Sequence, residues 1–523
     1  MKNNKNRSKI FKISLFLLGI GIIFSLGINT TAAANISNIY VNGSSGNDNW
    51  NGLNSTWTSG INGPKATIKN ATGTVTSNGT VYITSGTYNE SNIQINKNMT
   101  IIGESQKNTI IDGQQSGNSI FNITSGVNVT IINLTLTNGM TGSTGNGAAI
   151  DSSGTLTVDN ITFTNNNGLN GGGAIAEFGS LTVNNCTFTN NNATNGGGGA
   201  IIEFGSLTIN NSNFTNNTSM GGGAILVYGT SANVYNSTFT NNSVSIHGGA
   251  IYSTSGLIVY NSTFTNNSAP TDGGAIYNFA PGTLIVKDSN FSNNTANEGG
   301  AIYTNNYAIT TIVNFNRFIR NTASSGNAIY SVGTVNATDN WWGSNNSPTE
   351  EINGTDIDYN PWIVLTIKKT HGIINVGGTS TITADLLYDS NGVYHDPANG
   401  HVPDGITVNF SKGTYGNVNP LSVITTNGIA STTYTGSAQG TSNISTTVDE
   451  QTLETNIIVN KVPANPIHDP NINPINTKHE SNPTTLNAAT TTIPMQHTGL
   501  PVAGLILAIL TVIGGSIIPK IKK

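Results

Sequence analysis

This chain of 523 residues has one cysteine, Cys186, and only 9% of its residues carry a charge. A lone cysteine excludes an intramolecular disulfide, so stability has to come from packing alone. Arginine is scarcer still, confined to Arg7, Arg317 and Arg320, and the net charge is −5. That balance argues against a nucleic-acid partner. Nucleophile-elbow, phosphate-loop and Cys-X-X-Cys patterns are also absent. Their absence removes the usual sequence signs of a serine hydrolase, a nucleotide binder or a thiol redox protein.

Glycine is plentiful, at 61 residues, and it punctuates a recurring phrase. Each copy reads Gly-Gly-Ala-Ile, a polar corner, an alternating run, then Phe-Thr-Asn-Asn. The isoleucines at 150, 175, 201, 225, 251, 276, 302 and 329 are spaced by 24 to 27 residues. Phe163, Phe188, Phe214, Phe239, Phe264, Phe291 and Phe318 keep the same beat. A fixed period of this size marks a solenoid. Leucine-rich repeats share the period but need a leucine consensus, whereas Ile, Val and Phe fill the apolar positions here. Each unit divides into three short alternating runs, such as 250–253, 257–260 and 262–266. Three strands and three corners make one coil of a parallel β-helix, right-handed by the general rule for parallel crossovers.

Period-two alternation predicts an inward set of Ile251, Leu257, Val259 and Phe264 in the cleanest unit. Stacked rungs then put the phenylalanines in one ladder, and truncating one to alanine should cost roughly 3–5 kcal/mol. Asn166, Asn191, Asn217, Asn242, Asn267 and Asn294 predict a second ladder of corner amides. Coiling is expected from about Thr80 to Trp342, with caps over residues 39–76 and 340–361.

The expected fold class is all-β. A right-handed parallel β-helix solenoid over 35–361 is followed by an immunoglobulin-like β-sandwich over 362–461, read from several short alternating runs. Residues 1–34 read as a secretory signal, with Lys2, Lys5, Arg7, Lys9 and Lys12 before an apolar core and Ala32-Ala33-Ala34 after it. A cleaved signal and an uncleaved anchor both fit. Residues 462–498, rich in Pro, Asn and Thr, read as a solvated stalk. Residues 499–519 read as a transmembrane helix, and the basic tail 520–523 places the C-terminus in the cytoplasm. Sequons at Asn122, Asn133, Asn236, Asn261 and Asn336 predict glycans on some outward-facing positions.

Several side chains could carry chemistry. Glu177 and Glu203 occupy equivalent positions one coil apart, a spacing compatible with paired-carboxylate glycoside hydrolysis, but they are expected to be solvated on an outward face. His247, Asp272 and Glu298 each precede a Gly-Gly, in a column that a zinc or calcium ion could bridge. Asp356 and Asp358 read as sharing a strand face near the domain junction, where they could bind calcium. Arg317 and Arg320, in the last coil, are expected to blunt its edge. None of these amounts to an assignment: no catalytic, cofactor-binding or metal residue is expected, and no cofactor. Tyr252, Tyr277 and Tyr303 form an aromatic stripe that could stack on sugars or stand as an inert surface ladder.

The Gly-Gly-Ala-Ile and Phe-Thr-Asn-Asn phrases resemble the polymorphic outer membrane protein repeat. Together with NATDNWWGSNNSP at 336–348, DYNPW at 358–362 and PMQHTGLPVAGLILAIL at 494–510, the layout resembles the adhesin-like surface proteins of methanogenic archaea. The resemblance implies a pectate-lyase-like β-helix, display at the cell surface and an adhesive role without a defined ligand. The expected partners are glycans or surface proteins of neighbouring cells or a host, the cell's own envelope, and the membrane through the C-terminal helix. A polysaccharide-active enzyme and a structural envelope component are the alternatives.

Overall fold

Alternation within each repeat becomes three short strands, because one or two inward apolar residues per strand can be buried only by the rung above and the rung below. The computed structural model describes residues 37–462, apart from 143–144, 280 and 306–308. The expected signal segment, the stalk beyond Val462, the membrane helix and the basic tail lie outside the described residues. Among the described residues no helix is long and apolar enough to cross a membrane.

The repeats stack as a parallel β-solenoid of about ten turns. In the cleanest repeat the strands are Ile251–Ser253, Gly256–Tyr260 and Thr263–Thr265. They contribute to sheets of 11, 13 and 10 strands. Register follows the sequence period: Ile225 pairs with Ile251, Val234 with Val259, and Phe239 with Phe264. Ile251, Leu257, Val259 and Phe264 are all fully buried, as the alternation predicts. A fourth, four-stranded sheet was not expected. Its strands, among them Asn192–Ala193 and Ser243–His247, lie just before the glycines of their repeats. Two of these strands, Asn167–Gly168 and Asn192–Ala193, span only two residues, too few for an alternation to show.

The interior holds three ladders. Ring centroids from Phe163 to Phe318 lie 4.5 to 5.1 Å apart at each step, with planes within 15° of parallel. The predicted asparagine column is buried and continuous, and Asn321 extends it. A serine column, Ser212, Ser237, Ser262 and Ser289, was not anticipated. Each hydroxyl accepts the backbone N–H of the preceding rung's column member. Cys186 stands in this column, its sulfur 3.5 Å from the N–H of Ile161.

Left-handed corners explain the remaining repeat residues. Asn261 and Asn266 have φ of 45° and 55°, and their equivalents in the neighbouring rungs do likewise. Asparagine tolerates that region better than other side chains. Gly248 has φ of 70°, and a Cβ there would also sit 2.6 Å from the carbonyl oxygen of Ile251. The Gly-Gly therefore answers both a backbone conformation and a close approach.

At the N-terminal end, Asn38–Val41 pairs in parallel with Gly79–Ile83, so the expected cap supplies a rung of its own. The helix Ile68–Thr74 packs on that end through Ile68 and Ala71. Thr67 accepts the N–H of Asn70, while the Glu90 carboxylate accepts those of Ile68 and Lys69. At the other end the tryptophan pair divides. Trp342 continues the ring stack, 4.9 Å from Phe318, whereas Trp341 is buried in the core of the following module.

That module has two sheets around one core. Four strands, including Ile363–Lys369 and Thr379–Asp389, form one sheet, and five, including Gly440–Val448 and Gln451–Asn460, form the other. Pairing is antiparallel except for Ile373–Asn375, which runs parallel to its neighbour. Arg317 and Arg320 do not merely blunt an edge. Arg317 makes a two-pronged pair with Asp449, which also accepts the Trp341 indole N–H at 2.7 Å, and Arg320 lies 3.8 Å from Glu450.

Candidate functional site

In the 11-stranded sheet the middle residue of each strand points outward. From rung to rung this column reads Asp151, Ala176, Ile202, Leu226, Tyr252, Tyr277, Tyr303 and Tyr330. Ala176, Ile202 and Leu226 are nonetheless buried. The glycine loops lie over them, close enough that a Cβ on Gly197 would strike Leu226. Of the expected stripe, Tyr277 stacks on Tyr303 at 5.0 Å and Tyr303 on Tyr330 at 5.4 Å, whereas Tyr252 meets Tyr277 edge-on at 4.9 Å. Tyr277, however, is only 6% exposed, because the His247 ring lies flat against it at 4.5 Å.

An accessible aromatic surface lies two residues further on, at the corner. Phe178, Phe204 and Tyr228 are 42%, 39% and 49% exposed, and their rings stack at 4.7 and 5.6 Å. Folding leaves few large apolar side chains this open in a contiguous stack without a partner. Beside Phe178 lies a recess of about 410 Å³ lined with Asn122, Thr124, Asn146, Asp151 and Ser153. Asn146 donates to the Asp151 carboxylate, and burial raises that carboxyl above its usual range. A flat apolar edge next to amides, hydroxyls and one acid can stack on a sugar ring and bond its hydroxyls.

Glu177 and Glu203 are not on this surface, contrary to the sequence expectation. Both are fully buried in consecutive rungs, facing inward with Ile175 and Ile201. The alternation itself requires this, since residues two apart share a face. Glu177 Oε1 accepts the Gly179 N–H at 2.9 Å, and Glu203 Oε1 that of Gly205 at 2.8 Å. Burial pushes the Glu177 carboxyl up to about 7, against the Ser152 hydroxyl and the Gly179 N–H. Burial, reinforced by Glu177, pushes Glu203 up to about 9. Enclosed in this way, the pair cannot flank a glycosidic bond.

His247, Asp272 and Glu298 do form a column of bridged residues, with His247 Nδ1 2.9 Å from Asp272 Oδ2. Their ligand atoms do not converge as a trio. Asp356 stands in a left-handed turn outside the strand Ile357–Asp358, so the two acids do not share a strand face. One trio of potential ligands does converge among the described residues: Asp339, Asp389 and His395. No spacing signals it, because Asp339 comes from the solenoid and the other two from the following module.

No curated protein matches this chain. Among solved structures, domains 4 and 5 of the S-layer protein SbsC align with 20% of the chain at 17% identity and a TM-score of 0.15. The aligned part spans 55% of that solved chain. A larger structure of the surface layer protein SbsC, domains 1–6, aligns with 21% of the chain and 14% of its own length, at 16% identity and the same TM-score. Overlap this weak carries no argument about fold or role. Three stretches, residues 236–254, 261–278 and 288–305, match the Chlamydia polymorphic membrane protein repeat, and each lies within the stacked rungs of the solenoid.

Proposed function

We propose that this chain is a non-enzymatic display rod at the cell surface, anchored by residues 499–519, whose exposed aromatic edge meets glycans of neighbouring cells. The observation that carries this reading is the stack of Phe178, Phe204 and Tyr228 beside a polar recess. The repeat shared with a polymorphic membrane protein supports display by analogy of fold and repeat. Inward burial of Glu177 and Glu203 weighs against the polysaccharide-active alternative, since no substrate reaches them. The two-sheet module is read as an immunoglobulin-like spacer between rod and anchor.

The test is binding of the purified chain to glycan arrays and whole cells. A subset of glycans should retain the protein, and joint substitution of Phe178, Phe204 and Tyr228 by alanine should weaken binding at least tenfold. Alanine at Tyr235 and Tyr260, which stack on a different sheet, should leave it unchanged. Background signal on every surface, or an unaffected triple variant, would sink the proposal. Retention on the cell's own envelope alone would favour a structural envelope component.

A further inference from the structure

Asp339, Asp389 and His395 meet where the last rungs of the solenoid join the two-sheet module. We propose that they form a binding site for a divalent transition metal, best suited to Zn²⁺, that ties the two modules together. Each ligand is held by structure that leaves one atom facing the others. Asp389 Oδ1 accepts the N–H groups of Asn391 and Val393, both at 2.9 Å, and Oδ2 is turned toward His395 Nε2 at 3.2 Å. Asp339 arrives from the solenoid side, its N–H bonded to Pro361 and its carbonyl accepting the N–H of Phe315. Its Oδ1 lies 3.6 Å from the same imidazole nitrogen. Phe315 also packs edge-on against the His395 ring at 5.6 Å, which fixes the plane of the ring.

The three ligand atoms all lie within 4.8 Å of one another. Tetrahedral zinc, with bonds near 2.0–2.1 Å, sets its ligand atoms about 3.3 Å apart, so two of the separations need almost no adjustment. Two carboxylates and a neutral imidazole also match the charge of a dication. The imidazole argues against calcium and magnesium, which take all-oxygen shells. Without a metal the set is poorly balanced. Asp339 Oδ1 is buried with no hydrogen-bond partner. Leaving a buried oxygen unbonded is unfavourable. The competing arrangement is a protonated His395 shared by both acids, which binds no metal.

The experiment uses the untagged full chain, stripped with EDTA and dialysed against micromolar Zn²⁺, with bound metal counted by mass spectrometry. One zinc per chain is expected. Asp339→Asn and His395→Gln should each lower the affinity at least tenfold, and His247→Gln should not. As a check that needs no variant, zinc should slow modification of His395 by diethyl pyrocarbonate at least fivefold in the wild-type chain. Less than stoichiometric zinc, binding unaffected by both substitutions, or an unchanged modification rate would each overturn the site.

Discussion

Asn242 shows what a single side chain must do in this molecule. Its amide donates to the carbonyl of Phe214 and to Asn267 Oδ1, and its own oxygen accepts two N–H groups from Asn217. All four bonds are close to 3.0 Å and fully buried, so neither aspartate nor leucine could replace it without stranding donors or acceptors. Cys186 fills a serine position, and burial pushes its thiol up to about 12, which makes it unreactive. Glu177 and Glu203 provide the titration. Both carboxyls are raised in the folded state, so folding favours their protonated forms. That stabilisation is complete below the unfolded value near 4.5 and is lost as pH rises through about 7 and about 9. Urea unfolding should therefore show stability falling by roughly 3 kcal/mol or more between pH 5 and pH 9. Glu203→Gln should flatten the slope between about pH 7 and pH 9, leaving below that what Glu177 and Glu351, also raised to about 7, contribute. An unchanged slope in that variant would show that the buried pair is not its source. At this scale the ladders of Phe and Asn were legible, because a fixed period puts equivalent residues in register. The inward glutamates were equally legible from Ile175 and Ile201 two residues earlier, but the expectation that charge seeks solvent obscured them.

Among elements, the three core strands of each repeat announced themselves, and the backbone conformation of the corners did not. Apolar alternation marks a strand such as Gly256–Tyr260, whereas nothing in Asn261 or Asn266 says that its φ is positive until the chain is coiled. The junction was hidden for a different reason: its contacts join residues more than 100 positions apart. Arg317 and Trp341 converge on Asp449, whose side chain is 8% exposed. Asp449→Ala would leave the Arg317 guanidinium, 17% exposed, without its carboxylate. Loss of one partner of a buried ion pair costs about 3–5 kcal/mol. Thermal unfolding should accordingly show the two-sheet module of this variant melting before the solenoid, where the wild-type chain unfolds both together. Coincident melting at the wild-type temperature would mean that the pair contributes little.

As a whole, the described molecule is a stack in which a long stretch of sequence advances the structure by a single strand spacing. Thr157 pairs with Thr182, Thr182 with Thr208, Thr208 with Asn233, Asn233 with Ile258, and Ile258 with Ile285. Everything proposed for the aromatic edge depends on this stacking, because Phe178, Phe204 and Tyr228 are neighbours only if their rungs are. The most direct measurement is a spin-label distance between Thr157→Cys and Ile285→Cys, with buried Cys186 left unlabelled. Five rungs at ~4.8 Å place those positions about 24 Å apart, in a narrow distribution. A broad distribution centred well beyond that distance would contradict the stacked rungs and the binding edge built on them.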